Sequence, residues 1–285
     1  MGKKILIGIG VVVLLIVAAG AGFYGVYLRP FMEKMKHTTT VQYDKNLTLV
    51  IGGGGNSGIL VSDSAVLVID TKMDAAAEEL SKTVKSLAGN KPIIVVNTHV
   101  HTDHTSGNKY YRGQTIIDGG NYDNEFWAKE NKGDTMPNVW VKDSLVLNMG
   151  DETVTILNLP FAAHTQSDVV VYLHNRKMLF GGDVILNKQA PALFATYKAD
   201  ADGYLKAFDL VEKRFDINKV VPGHGEVGGI EVIDNFRTYF KDIEAAVADP
   251  SKEKEILNKY KDYRQVPFFM SPGATLRYVR NSAVK

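Results

Sequence analysis

The chain has 285 residues, no cysteine, 45% hydrophobic and 23% charged residues, and a formal net charge of +1. That length fits one large domain or two small ones, with ample apolar residue for a core. Disulfides, thiolate ligands and cysteine nucleophiles are excluded, so any metal ligand is histidine, carboxylate or water; with no basic run or stripe, no nucleic-acid partner is expected.

Lys3 and Lys4 precede an apolar stretch, Ile5 to Leu28, with no charge before Arg29. About 20 residues cross a bilayer as helix, whereas a cleaved signal carries an apolar core of roughly 7–15. Residues 1–28 therefore read as an N-terminal transmembrane anchor. Small residues at Ala18 to Gly22 mark where cleavage would instead release a secreted chain. Tyr24 and Tyr27 suit a membrane interface. Cations flank the stretch on both sides (Lys3 and Lys4; Arg29, Lys34 and Lys36), so the positive-inside rule is nearly balanced. The signal-anchor pattern leads to the expectation that the domain after it lies on the periplasmic, extracytoplasmic side. Residues 29–45 read as a polar linker holding a solvated His37.

From Leu47 the pattern is β. Leu47, Leu49 and Ile51 alternate, Gly52 to Gly55 turn, and Ile59 to Val61 resume. No Lys-Ser/Thr pair and no helix follow these glycines, which argues against a phosphate-binding loop and for a hairpin turn or a mobile loop over a site. Ala65 to Ile69 is a strand ending in Asp70. Asp74 is expected to cap a helix in which Leu80, Val84 and Leu87 recur at helical spacing until Gly89-Asn90. Pro92 opens the apolar strand Ile93 to Val96. It runs straight into Asn97-Thr98-His99-Val100-His101-Thr102-Asp103-His104, at the strand end where α/β layers place their sites.

Further strands are expected at Gln114–Asp118, Leu145–Leu147, Val154–Leu157, Val169–Leu173, Met178–Phe180 and Lys219–Val221. Helices are expected at Asn121–Lys129, Asp202–Phe215, Ile230–Val247 and Lys252–Tyr260. His174 falls in a polar turn. A domain over 46–248 and a C-terminal helix and tail over 249–285 complete the chain. The order β then α, twice, predicts two facing sheets with helices outside.

His99 and His101, two apart at a strand end, point to one side. Neutral imidazole suits zinc, iron and related metals, but two histidines are one short of the usual three protein ligands of a catalytic ion. Asp103 and His104, just beyond, are placed to serve a second ion. His164, Asp183 and His224 each follow a predicted strand. Alone, each reads equally as a solvated loop residue or a turn former; with the cluster, they read as its partners.

The run Thr98 to His104 matches the HxHxDH signature of the metallo-β-lactamase-fold superfamily, and His164, Asp183 and His224 resemble that family's later ligands in order and context. The resemblance spans about Leu47 to Val247. It implies an α/β (α+β) four-layer αββα sandwich with the metal site along one edge of the sheets. It implies His99, His101 and His164 on one metal, Asp103, His104 and His224 on the second, and Asp183 bridging. Asp70 matches a structural aspartate behind the ligands. Two zinc ions per chain follow, with iron or manganese as alternatives, and a small-molecule substrate.

Such ions lie about 3.5–4 Å apart and lower the pKa of a shared water to about 7. The resulting hydroxide would attack an ester, thioester, lactone or lactam carbonyl, with Asp103 holding its proton. Asp183 stands where common zinc β-lactamases have cysteine, which resembles glyoxalase II and related thioesterases and lactonases. Ala162-Ala163-His164-Thr165 departs from the Pro-Gly-His-Thr of glyoxalase II. A β-lactamase with Asp and His second-site ligands and a mononuclear iron persulfide dioxygenase-like enzyme are the alternatives. Substrate contacts are expected from Gly52–Ser57, Gly133–Val139 and Lys188–Tyr197, with Trp140, Leu193, Phe194 and Tyr197 as wall or packing residues.

Overall fold

Short apolar strands assemble into two facing sheets in the computed structural model of the chain, which describes residues 15–121, 124–131 and 135–282. The first sheet runs in chain order: β1 (Thr38–Gln42), β2 (Leu47–Gly52), β3 (Ser57–Val61), β4 (Val66–Ile69), β5 (Ile93–Val96), β6 (Thr115–Gly119) and β7 (Val139–Val141). Its first four strands pair antiparallel and the rest parallel. The second holds β8 (Ser144–Asn148), β9 (Thr153–Asn158), β10 (Val169–Leu173), β11 (Met178–Leu186) and β12 (Lys219–His224). Only β11 and β12 pair parallel.

Both faces of the sheets are covered, so the strands read as continuous apolar runs. Leu67, Ile69 and Val96 meet Ile156, Val171 and Phe180 between the sheets. Helix α2 (Asp74–Ala88) lays Leu80, Val84 and Ala88 on Val66, Val68 and Val95 of the first sheet. Each buried leucine or valine among them contributes about 1.5–3 kcal/mol. On the far face of the second sheet, α5 (Ala201–Arg214) and α6 (Glu231–Ala248) bury Tyr204, Phe208, Phe236 and Phe240. The result is the expected αββα order of layers.

Several elements differ from the sequence reading. Helix α2 begins at Asp74, but Met73 occupies the cap position and no side chain caps it. Asp74 is the first residue of the helix, at φ 48°, rather than the residue before it. Leu87 is exposed despite its helical spacing. Residues 29–45, read as a linker, carry the end of helix α1 (Leu15–Lys36) and the exposed edge strand β1. Its β-branched residues Thr38 to Val41 favour extended backbone. The C-terminal region packs rather than trails. Helices α7 (Glu253–Lys259) and α8 (Pro272–Ser282) place Ile256, Leu276 and Val279 in the core under α6, and Tyr239 bonds Thr275 at 2.7 Å.

Of the expected anchor, residues 1–14 lie outside the described residues. From Leu15 the helix is long and apolar enough to cross a membrane, and its apolar window is unburied. The remaining short helices are α3 (Thr102–Thr105) and α4 (Asn124–Glu130).

Candidate metal centre

The loops after β5 and β9, the irregular middle of β11 and the end of β12 converge on one edge of the sandwich. There the structure brings together all seven predicted residues, in two groups whose candidate donor atoms lie within 4.8 Å of one another. In the first group, His101 Nδ1 is 3.1 Å from His99 Nε2 and 2.9 Å from His164 Nε2. In the second, His224 Nε2 is 3.1 Å and His104 Nε2 is 3.6 Å from Asp103 Oδ2. Asp183 reaches both. Its Oδ2 is 3.4 Å from His164 Nε2, while its Oδ1 is 3.2 Å from His104 Nε2 and 3.4 Å from His224 Nε2. His37 is exposed and His174 bonds Thr155, both away from the cluster.

The strand expected to end before Asp183 in fact continues to Leu186, and Asp183 comes from irregular pairing within it. The register with β12 shifts between Phe180 and Gly182 and again before Leu186. Gly182 takes φ 51° against Thr98, a conformation open to glycine. A bulge of this kind re-aims a side chain; here it turns the carboxylate into the cluster.

Groups behind the candidate ligands set their protonation. Asp70 accepts the Thr98 amide at 2.7 Å, the Thr98 hydroxyl at 2.8 Å and His104 Nδ1 at 2.7 Å. The Thr98 hydroxyl, already donating to Asp70, accepts from His99 Nδ1 at 3.1 Å. His99 thus carries its proton outward and presents a bare Nε2 to the cluster, while Asp70 holds the Nδ1–H of His104. His164 Nδ1 pairs with the buried Tyr204 hydroxyl at 2.8 Å. Asp168 takes the Thr165 amide and hydroxyl, fixing the loop that carries His164.

This arrangement leaves charge and lone pairs uncompensated. His104 Nε2 and Asp183 Oδ1 are buried with no hydrogen-bond partner. Burial holds His99 well below its usual pKa and His164 down at about 3, so the first group favours neutral imidazole. Burial pushes His104 and His224 the same way, but neighbouring carboxylates reverse it. Asp70, Asp103 and Asp183 hold His104 well above its usual value, and Asp183 and Asp103 hold His224 at about 9. Burial raises Asp103 and Asp183, yet His104 and His224 bring both below the usual carboxylate range. The orphaned atoms and the all-nitrogen-and-oxygen donor set fit two divalent cations of the zinc, iron or manganese type.

Lys72 is the residue the sequence reading missed. Its side chain is fully buried, and its ammonium donates to the carbonyls of Val50 and Gly55 at 2.8 Å each and to that of Gly52. Burial pushes its pKa down to about 7, with Asp70 and Asp103 opposing. The glycine turn it holds is tied across the second group. Gly55 donates to the Asp103 carbonyl at 3.0 Å and Asn56 to the Gly223 carbonyl at 2.8 Å. A Cβ at Gly55 would run into the His104 ring, so only glycine permits this approach. A lysine is so rarely buried that nothing in the local pattern marks it.

The cluster opens into a cavity of about 320 Å³ walled by Phe31, Met35, Phe194 and Tyr197. Phe194 and Tyr197 are thus wall residues. Leu193 belongs to the core, and Trp140, on β7, packs beside Val100 and Trp127. Residues 133 and 134 of the expected Gly133–Val139 contact loop lie outside the described residues.

The model of the metallo-beta-lactamase superfamily matches residues 50–224, and the chain belongs to that superfamily. Metallo-beta-lactamase type 2 of Bacteroides fragilis is 29% identical over 182 residues, covering 63% of this chain and 72% of that one. Acyl-coenzyme A thioesterase MBLAC2 of Homo sapiens is 24% identical over 178 residues, covering 53% of this chain and 62% of the thioesterase. Among solved structures, the metallo-beta-lactamase from Pontibacter korlensis superposes with a TM-score of 0.63 at 22% identity, over 72% of this chain and 100% of that one.

Proposed function

We propose that the chain is a membrane-anchored binuclear zinc hydrolase of a small carbonyl substrate: an ester, thioester, lactone or lactam. The observation that carries this reading is Asp183, with one carboxylate oxygen beside the first group and the other beside the second. His99, His101 and His164 would hold one ion, Asp103, His104 and His224 the other, and Asp183 both. Ions so held supply Lewis acidity at the carbonyl oxygen and bring the pKa of water towards about 7.

The chain's own residues do the rest. Asp103, kept ionised and facing the cavity, accepts the proton of the attacking water. Asp70 and Tyr204 fix the imidazoles from behind. Phe194 and Tyr197 exclude solvent on one side and position the substrate. Residues 1–28 serve as the anchor, 46–248 as the catalytic domain on the extracytoplasmic side, and 249–285 as its outer cover. Relatives named for β-lactam and thioester substrates support carbonyl chemistry, and Asp183 in the cysteine position favours the thioester side.

The test is metal content together with a panel of thioesters, esters, lactones and β-lactams offered to the zinc-loaded chain. Near two zinc per chain with metal-dependent hydrolysis is expected. One iron per chain, with oxygen consumed alongside a persulfide, would overturn the reading.

A further inference from the structure

The anchor helix does not merely hold the catalytic domain near a surface; it forms part of the mouth of the site. Phe31 and Met35 near the end of α1 wall the cavity that contains His101, Asp103, His164, Asp183 and His224. They also wall a neighbouring cavity of about 450 Å³ that shares His224 with the first and reaches the glycine turn. β1 follows directly and is hydrogen-bonded to β2, so the helix end is tied to the sheet that carries the site.

A second element joins that helix to the cavity. The segment Val266 to Met270 is a tight turn closed by Met270 donating to the Val266 carbonyl at 2.9 Å. Met270 lines the cavity of the candidate metal centre. Just before the turn, Gln265 accepts from Lys34 at 3.1 Å. At its tip, Phe268 lies with its ring centroid 6.1 Å from that of Phe23. Phe23 is roughly 16 Å further along α1 than Lys34, towards the apolar end, at about 1.5 Å per residue.

The tip therefore points down the candidate membrane span. It is also apolar and open: Phe268 is 68% and Phe269 54% exposed. Phe268 holds φ 75°, a costly backbone for an aromatic residue. Adjacent exposed phenylalanines on a strained tip would be a liability in water and suit a lipid phase. Candidate span, tip and cavity are thus contiguous, with Met270 at the inner end and Phe268 at the outer.

We propose that the substrate is a bilayer-partitioned amphiphile, a long-chain acyl ester or thioester. It enters from the membrane between the Phe268–Phe269 tip and α1, with its acyl chain lying against Phe31, Met35 and Met270. This inference rests on the hydrolase reading above and narrows its substrate. In the reaction, water oxygen bonds to the acyl carbon as the carbon–oxygen or carbon–sulfur bond breaks. One water proton ends on the leaving alcohol or thiol, the other is released to solvent, and a fatty carboxylate is left.

The test uses the full chain, zinc-loaded and reconstituted in phosphatidylcholine vesicles, with matched hexadecanoyl and butanoyl esters and thioesters. The hexadecanoyl compounds are expected to show kcat/KM at least about tenfold higher. Phe268→Ser with Phe269→Ser is expected to abolish that preference while butanoyl turnover stays within about twofold of wild type. A separate readout is independent of turnover. Phe268→Trp in vesicles with brominated acyl chains should show added, strongly quenched indole fluorescence. Equal kcat/KM for the two chain lengths, or an unquenched indole, overturns the proposal and leaves the hydrolase reading standing. No turnover of any of these compounds or of the wider carbonyl panel removes the hydrolase reading and the proposal with it.

Discussion

The two halves of the histidine–aspartate cluster are built by opposite electrostatics. His99, His101 and His164 sit where burial dominates and imidazole stays neutral, with lone pairs already turned inward. Asp103, His104 and His224 form an ion-paired network in which carboxylates outweigh burial and keep the imidazoles protonated. The first half needs only a cation to relieve converging lone pairs. The second must first lose protons, because a protonated imidazole cannot ligate. The two halves therefore favour a cation under different conditions, and Asp183 sets one carboxylate oxygen beside each of them.

The largest effect should come from removing what the halves share. Asp183→Ala should bring metal content from near two to one or fewer per chain, with kcat down about 10³-fold; elemental analysis beside steady-state kinetics reads both. The next separates the halves from behind. Tyr204→Phe should weaken the first ion and Asp70→Asn the second, each by about 10–100-fold in affinity. Competition with a chromogenic chelator resolves the two, and equal weakening of both ions by either variant would erase the contrast.

Lys72→Met acts on the second half through the glycine turn. It leaves the carbonyls of Val50, Gly52 and Gly55 without their donor. It should cost about 3 kcal/mol in urea unfolding, since three carbonyls lose their shared buried donor.

The smallest effect is on pH, in the chelated chain. His164 has a folded pKa of about 3, below its ordinary value, so its contribution is present above about 6.5 and lost as pH falls towards 3. His224 has a folded pKa of about 9, above its ordinary value, so its contribution is present below about 6.5 and lost as pH rises through 9. Melting temperature against pH should decline on both sides. His164→Gln should remove part of the acid limb only, and His224→Gln part of the alkaline limb only.

Much of this was legible in the chain itself. The alternating and continuous apolar runs located ten of the twelve strands among the described residues, and the spacing of His99, His101, Asp103 and His104 marked the candidate cluster. Local pattern could not reveal what depends on tertiary placement. The bulge that aims Asp183 is a property of β11 against β12, not of its own residues. Lys72 reads as a surface residue until the glycine turn folds over it. In the expected C-terminal tail, proline is well suited to open a helix, and α8 begins at Pro272. The contact of α1 with the cavity is likewise invisible to a reading that treats an apolar leader apart from the domain it precedes.

The most direct test of the bridged pair is anomalous diffraction at the zinc edge from crystals of the zinc-loaded chain. The account predicts two peaks about 3.5–4 Å apart, one among His99, His101 and His164, the other among Asp103, His104 and His224, with an oxygen of Asp183 on each. A single peak in the first group, or two peaks with Asp183 touching only one, would contradict it.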